Sequence, residues 1–539
     1  MRILNKHTKF LTLLLAVAAM TGCSEDKMDS INTDKDHPHS VPAKFTFADV
    51  ITSTAQYNVG GDINTYASVY NEQTAGIDNQ LYNADIRQGE PSSSTMSDNV
   101  WKNIYGTITN AKLVYREALT AKGDKIDHQI RGCAAAMLAY NLALTTDIFG
   151  DTPWSQAADD ELKSGMPAYM NPVIDKQQDI YKDVFALLDT ATVNLQKVSE
   201  EDNSLGSYDL MYNGNPAKWL KFVNGLKARY TMRLLSTYSD AEKSAKLQQV
   251  INFADASFTS ASDEAAFNAY NGTSNWNPVF DFWESRQGIA TSESLYKKLT
   301  ARKDPRLYRC FFNYDFSDYD AYQVKPGDKG FAPAPNGQAN LGIGSYTFDA
   351  FDLATQADVD LLSYREVLFL KAEAYARLGQ KSEAEKTLKE AVAASFDNAE
   401  KDIQYAKGCT QENVTGFKDN EAINVADTVN NYFNNEVRPL FEANPVKEVM
   451  IQKYLSFWNS NGEATETFCD IRRLLALGEF DYYGLGNPAN GYSNGKTIKF
   501  PLRFPYGASG VTANPNIEKA YGNGSYIYTN PVWWAGGNN

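Results

Sequence analysis

The chain reads as a mostly α fold: four helix pairs forming a scaffold, with long irregular loops inserted between them. Three observations carry this. Apolar residues recur at three- and four-residue spacing in paired segments. Helix-start and helix-stop residues bracket those segments. The longest stretch between them, residues 239–360, is rich in Asn, Gly, Asp, Tyr and Trp instead.

The first pair spans 98–150. Trp101, Ile104, Ile108, Ala111 and Tyr115 make one stripe, and Ile130, Cys133, Met137, Leu144 and Ile148 make the next, with Gly150 placed to end it. The second pair spans 175–237. Ile180, Val184, Leu187, Ala191 and Leu195 align, then Asn215 and Pro216 open a helix striped by Trp219, Phe222, Val223, Leu226 and Tyr230. The third pair, 361–396, turns at Gly379, and Ser382 with Glu385 has the spacing of a capping box. Small Ala372, Ala374 and Ala384 stand where its helices meet, as in a tetratricopeptide unit. The fourth pair spans 446–478. Long insertions break any strict 34-residue period, so the helices predict a scaffold and the connections a recognition surface.

Ahead of this domain, expected at 44–539, the N-terminus has its own logic. Arg2, Lys6 and Lys9 precede an apolar run, Phe10 to Met20, that is too short to span a bilayer. Residues 1–22 therefore read as a secretory signal peptide. Thr21-Gly22-Cys23 resembles the end of a bacterial lipobox, with Met20 where leucine is usual. Cys23 then becomes the lipidated first residue of the mature chain. Each buried methylene of its acyl chains would contribute about 0.8 kcal/mol. Ser24-Glu25-Asp26 looks like an acidic export tag, and the polar stretch 23–43 reads as a tether.

Composition excludes several function classes. The formal net charge of -15 argues against nucleic acid and against anionic lipid surfaces. No second apolar run long enough to cross a membrane is apparent. Of four histidines, His7 lies in the signal and His37 and His39 in the tether, so only His128 remains in the fold. A Ser-His-Asp triad, HExxH or three-histidine metal site is thereby excluded. The five cysteines include no CxxC. Cys133 reads as a buried thiol on a helical stripe. A disulfide among Cys133, Cys310, Cys409 and Cys469 stays open. No cofactor motif is present, while a carboxylate-only enzyme stays open.

Helical Trp101 and Trp219 lie on core stripes, so loop aromatics are the better ligand candidates. Tyr70 and Tyr82 stand beside Asn83, Asp85 and Arg87; Trp276 and Trp283 beside Asn277 and Arg286; Tyr314, Tyr319 and Tyr322 among Asp315, Asp318 and Asp320. Packing into the body is the alternative role for each ring. The three aspartates lack the glycine and terminal glutamate of an EF-hand, so they read as a solvated loop, with calcium binding as the alternative. Val532 to Trp534 is expected to pack onto the body.

Taken in order, "VWKNIYGTITNAKLVY" (100–115), "LAYNLALTTDIFGDTPWSQA" (138–157), "YREVLFLKAEAYARLG" (364–379), "EVMIQKYLSFW" (448–458), "DIRRL" (470–474) and "PLRFPYGASGVTANPN" (501–516) resemble the SusD/RagB family of outer-membrane lipoproteins. "GEATETFCDIRR" lacks the family's usual tryptophan after Glu-Ala, and "FPYGASG" lacks its Pro-x-x-Glu continuation. The resemblance implies a non-catalytic surface protein that captures oligosaccharides, or in some branches peptides. It implies delivery to a SusC-like TonB-dependent transporter. The alternatives are a peptide-binding scaffold and an all-α glycoside hydrolase or lyase.

Overall fold

Helix ends in the structure follow the local chemistry of the chain. The computed structural model describes residues 41–539 except 88–95, 122–124, 159–167, 200–201, 339–341, 343, 459–461, 491–498, 522–524 and 538–539. The expected signal peptide and Cys23 lie outside the described residues. All elements below belong to the unit Ala43–Asn539.

Helix α1 (Ala43–Ser53) leads through a π-turn into α2 (Asp62–Tyr70), followed by strand β1 (Thr74–Gly76) and α3 (Asn79–Asp85). The first expected pair forms as α4 (Asp98–Glu117) and α5 (His128–Phe149). The Asp127 side chain accepts from the Ile130 N–H at 3.0 Å to start α5. Gly150, at φ 85°, stops it. By composition α5 is apolar enough to cross a membrane, which the sequence reading had missed, yet its apolar window is wholly buried and it serves as the central core helix. The next pair is α6 (Gln177–Leu195) and α7 (Pro216–Arg233). Asn215 caps α7 through the Ala217 and Lys218 N–H groups at 3.0 and 3.1 Å.

The stretch 239–360 is not irregular. It holds α8 (Asp240–Asp255), β2 (Ala265–Phe267), α9 (Pro278–Arg286), β3 (Ile289–Thr291), α10 (Glu293–Ala301), β4 (Phe311–Asp315), β5 (Asp320–Gln323), β6 (Phe348–Asp349) and β7 (Val359–Leu362). Buried Leu247, Val250, Ile251 and Ala254 give α8 a helical stripe diluted by charged residues. The strands are two to five residues long, too short to print an alternation in the sequence.

Next come α11 (Tyr364–Arg377) and α12 (Lys381–Lys407), with Gly379 at φ 74° between them. The Ser382–Glu385 capping box does not form: α12 starts two residues earlier, with Gln380 at its cap and no side-chain cap bond. It also runs well past residue 396. The chain closes with β8 (Asn413–Thr415), α13 (Ala426–Tyr432), α14 (Arg438–Ala443), α15 (Pro445–Ser456), α16 (Ala464–Ala476), α17 (Ala508–Ala513) and α18 (Pro515–Tyr521).

Helix α5 packs between α4 and α6, α11 against α12, and α8 against α7 and α11. The fourth expected pair behaves differently. α15 lies on α11 and α12, whereas α16 lies on α2. A buried ion pair, Lys453 to Asp470 at 2.7 Å, still ties α15 to α16. Other buried pairs cross the core: Arg229 with Glu366, and Arg473 with Glu373. Such pairs specify which helices meet more than they add net stability. The C-terminal expectation agrees with the structure: Trp534 is buried and its indole N–H donates to Asp147 at 2.8 Å. Cys133, Cys310, Cys409 and Cys469 are buried free thiols, so none forms a disulfide. The sheets are small. β1 pairs with β3, β2 with β7, and a four-stranded sheet runs β6-β4-β5-β8, with β5 and β8 parallel.

Candidate functional site

Three of the segments singled out in the sequence are assembled by the two short sheets and the loop before β6. β1 and β3 run antiparallel with Gly76 opposite Ile289. The Ile77 N–H donates to the Gly288 carbonyl at 2.9 Å, and the Gly342 N–H to the Ile77 carbonyl at 3.4 Å. Gly344, at φ 85°, lies so close to the Phe316 ring that an added Cβ would meet it at 2.9 Å. The segment ahead of α3, the segment after α9 and the β4–β5 hairpin thus all meet the loop before β6. Asn83, Arg286, Phe316 and Tyr319 are exposed, and Tyr82 is half-buried.

The hairpin presents its rings unequally. Tyr319 is 66% exposed at the loop tip, at φ 57°. Phe316 is 38% exposed and stands edge-on to Tyr314 at 4.7 Å, so it is an exposed ring already held in place. Beneath it Tyr314 meets Trp283 at 5.2 Å, and Trp283 meets Phe312 at 5.7 Å and Phe348 at 5.8 Å. The Tyr314 hydroxyl donates to Glu412 at 2.6 Å. Burial and the neighbouring Glu284 carboxyl, which hydrogen-bonds to it, push the Glu412 carboxyl up to about 7.

Several expected ligand residues are core residues. Tyr70, Asp85, Arg87, Trp283 and Tyr314 are buried, so none offers a ring face or a charge to solvent. The Arg87 guanidinium lies 4.8 Å over the Tyr70 ring and donates to the Ala84 carbonyl at 2.6 Å. Asp85 accepts from the Gly337 N–H at 2.6 Å, and burial pushes its carboxyl up to about 7. Asn277 is the buried N-cap of α9. Trp276 is half-buried edge-on to Phe280 at 5.4 Å. It sits at the far end of α9 from Arg286, about 15 Å away at 1.5 Å per residue. Tyr322 is exposed, but it pairs with Asn313 across the hairpin, whereas Tyr314 pairs with Ala321. Strand alternation therefore sends Tyr314 and Tyr322 to opposite faces.

The calcium alternative is not supported by the structure. The Asp315 carboxylate accepts from the Ser317 N–H at 2.9 Å, and Asp320 from the Asn413 amide at 2.7 Å. Among the described residues no three His, Cys, Asp or Glu side chains form a metal-ligand group. Sequence reasoning missed Phe316 and Gly344. A phenylalanine in a turn flanked by aspartates was the available signal.

A family model described as "Starch-binding associating with outer membrane", SusD-like, matches residues 37–506. The chain belongs to the SusD-like family. It is similar to a solved SusD/RagB family protein from Bacteroides thetaiotaomicron, 44% identical over 93% of this chain and 100% of that one, with a TM-score of 0.83. A SusD homolog from Bacteroides fragilis shares the fold at 18% identity over 93% of this chain and all of its own, with a TM-score of 0.65. A chitin-binding SusD homolog from Flavobacterium johnsoniae does so at 17% identity over 92% and 98%, with a TM-score of 0.62. No curated protein matches the chain. The SusD-like assignment accounts for the helical scaffold.

Proposed function

We propose that this SusD-like protein is a non-catalytic capture protein, lipid-anchored through Cys23 on the outer face of the outer membrane. It holds oligosaccharides and passes them to a SusC-like TonB-dependent transporter. The observation that carries the reading is the hairpin ledge, where the rings of Phe316 and Tyr319 are exposed and Phe316 is held edge-on to Tyr314. Sugars present apolar ring faces bordered by hydroxyls, and each aromatic contact adds on the order of 1 kcal/mol beyond area burial. A few such contacts suit a protein that must release its cargo.

The chemistry near the ledge supports binding over turnover. Glu412 there is engaged by the Tyr314 hydroxyl at 2.6 Å, Asp315 by the Ser317 N–H at 2.9 Å and Asp320 by the Asn413 amide at 2.7 Å, whereas a glycosidase sets two carboxyls about 5 to 9.5 Å apart with the substrate between them. His128 is committed to Asn194, 2.8 Å from its Nδ1. A peptide-binding reading has its own support in a groove of about 500 Å³ on α6, α7 and α8, lined by Phe185, Tyr238 and Phe253.

Calorimetry of residues 24–539 against a panel of polysaccharides and peptides tests the proposal. Heat from one glycan class, with no product by chromatography, is the expected result. Binding to peptides alone replaces capture of sugars with the second reading, and product formation replaces both with an enzyme. Separately, Cys23→Ala should release the protein from membrane pellets. Retention of the variant would refute the anchor.

A further inference from the structure

A second cleft, sharing no residue with the hairpin ledge, opens between the start of α7, the segment 259–268 and α12, with a volume of about 630 Å³. That size falls within the range of small-molecule sites. Tyr364 lies in its wall half-buried, and the Tyr212 ring lines it with its hydroxyl turned away to the Asp263 carbonyl at 2.9 Å. The cleft therefore has aromatic surface without a competing phenol from Tyr212.

Its lysines are already engaged. Lys401 pairs with Asp358 at 2.5 Å, and the Lys218 ammonium donates to the Ser262 carbonyl at 2.6 Å. An anionic ligand therefore finds no idle lysine in the cleft. What remains is hydrogen-bonding capacity. Asp397 uses one carboxylate oxygen on the Asn424 amide at 3.1 Å and keeps the other. Asn398 uses its amide N–H on Asp402 at 3.1 Å and keeps its carbonyl oxygen. Asn268 stands exposed on the facing wall. Adjacent Asp and Asn acceptors beside an aromatic ring, facing a carboxamide, are matched to vicinal hydroxyls on a sugar ring.

We infer that this cleft is a second saccharide-binding site, taking a short neutral stretch of glycan. The inference rests on the capture reading above and adds a site to it. Two separate contacts on one glycan chain raise overall avidity through effective concentration, with no need for a tight site.

The experiment is calorimetry with maltoheptaose, chitohexaose, xylohexaose and mannohexaose on six proteins. These are the wild type, Phe316→Ala/Tyr319→Ala, that double variant with Tyr364→Ala added, the same with Asn268→Ala/Asp397→Ala added, Tyr364→Ala alone, and Asn268→Ala/Asp397→Ala alone. The last pair alters only exposed side chains, so it keeps the test valid should Tyr364→Ala fail to fold. The ledge double variant should retain binding. Adding either cleft change to it should weaken that residual binding about tenfold or abolish it. If the ledge variant abolishes binding and the cleft variants match wild type, the cleft inference is overturned and the capture reading stands. If no glycan binds the wild type, both are overturned.

Discussion

Replacing Trp283 separates a core role from a ligand role. The ring is fully buried, enclosed by Phe280, Phe312, Tyr314 and Phe348 with centroids 5.2 to 6.4 Å away. Its indole N–H is buried and meets no acceptor. Trp283→Ala removes the whole ring and leaves a cavity, so it should cost about 3–5 kcal/mol. Trp283→Phe is a finer test. It forfeits roughly 1–2 kcal/mol of packing and transfer energy. It also removes an unsatisfied buried donor, which recovers about 1–3 kcal/mol. The phenylalanine variant should therefore fall between about 1 kcal/mol less and about 2 kcal/mol more stable than wild type. Urea unfolding followed by circular dichroism reads this as a midpoint shift at unchanged slope. Glycan affinity of the phenylalanine variant should equal wild type. A phenylalanine variant as unstable as the alanine variant would refute the packing argument. One that is stable but blind to glycan would return Trp283 to the ligand site.

The remaining predictions concern the ledge and its supports. Tyr319→Ala should weaken glycan binding about five- to tenfold, the loss of one stacking contact, with unfolding unchanged because the ring is mostly exposed. Gly344→Ala should cost about 1–2 kcal/mol for its left-handed backbone and weaken glycan binding by displacing Phe316, read by urea midpoint and calorimetry. The Asp85 carboxyl is raised by burial from 3.8 to about 7, so its contribution to stability is full below 3.8 and is lost as pH rises through about 7. Asp85→Asn should accordingly lose less stability than wild type as pH is raised across that window, measured by urea midpoints at each pH. An identical pH dependence would remove Asp85 from the account.

Local signals carried much of the fold. Asn215-Pro216, Gly150 and Gly379 mark helix ends where the structure has them, because capping depends on residues within one turn. The stripes of α4 to α7 needed only apolar spacing. The fourth pair shows where this stops: α15 and α16 are consecutive and helical, yet they pack on different partners. Sequence order does not encode which face meets which helix.

The candidate site shows the same division more sharply. By itself the sequence determined that aromatic and polar residues gather between 70 and 87, 276 and 286, and 314 and 322, and that a helical scaffold would carry them. Only the tertiary structure decided which of those rings face solvent. Trp283 and Tyr319 are both aromatic residues followed directly by an acid, yet one is enclosed by four rings and the other stands at a loop tip. The difference arises from β1 pairing with β3 and from the register of β4 with β5, contacts between residues far apart in the chain or set by a turn. Burial is a property of those long-range pairings, and no window of neighbouring residues contains it.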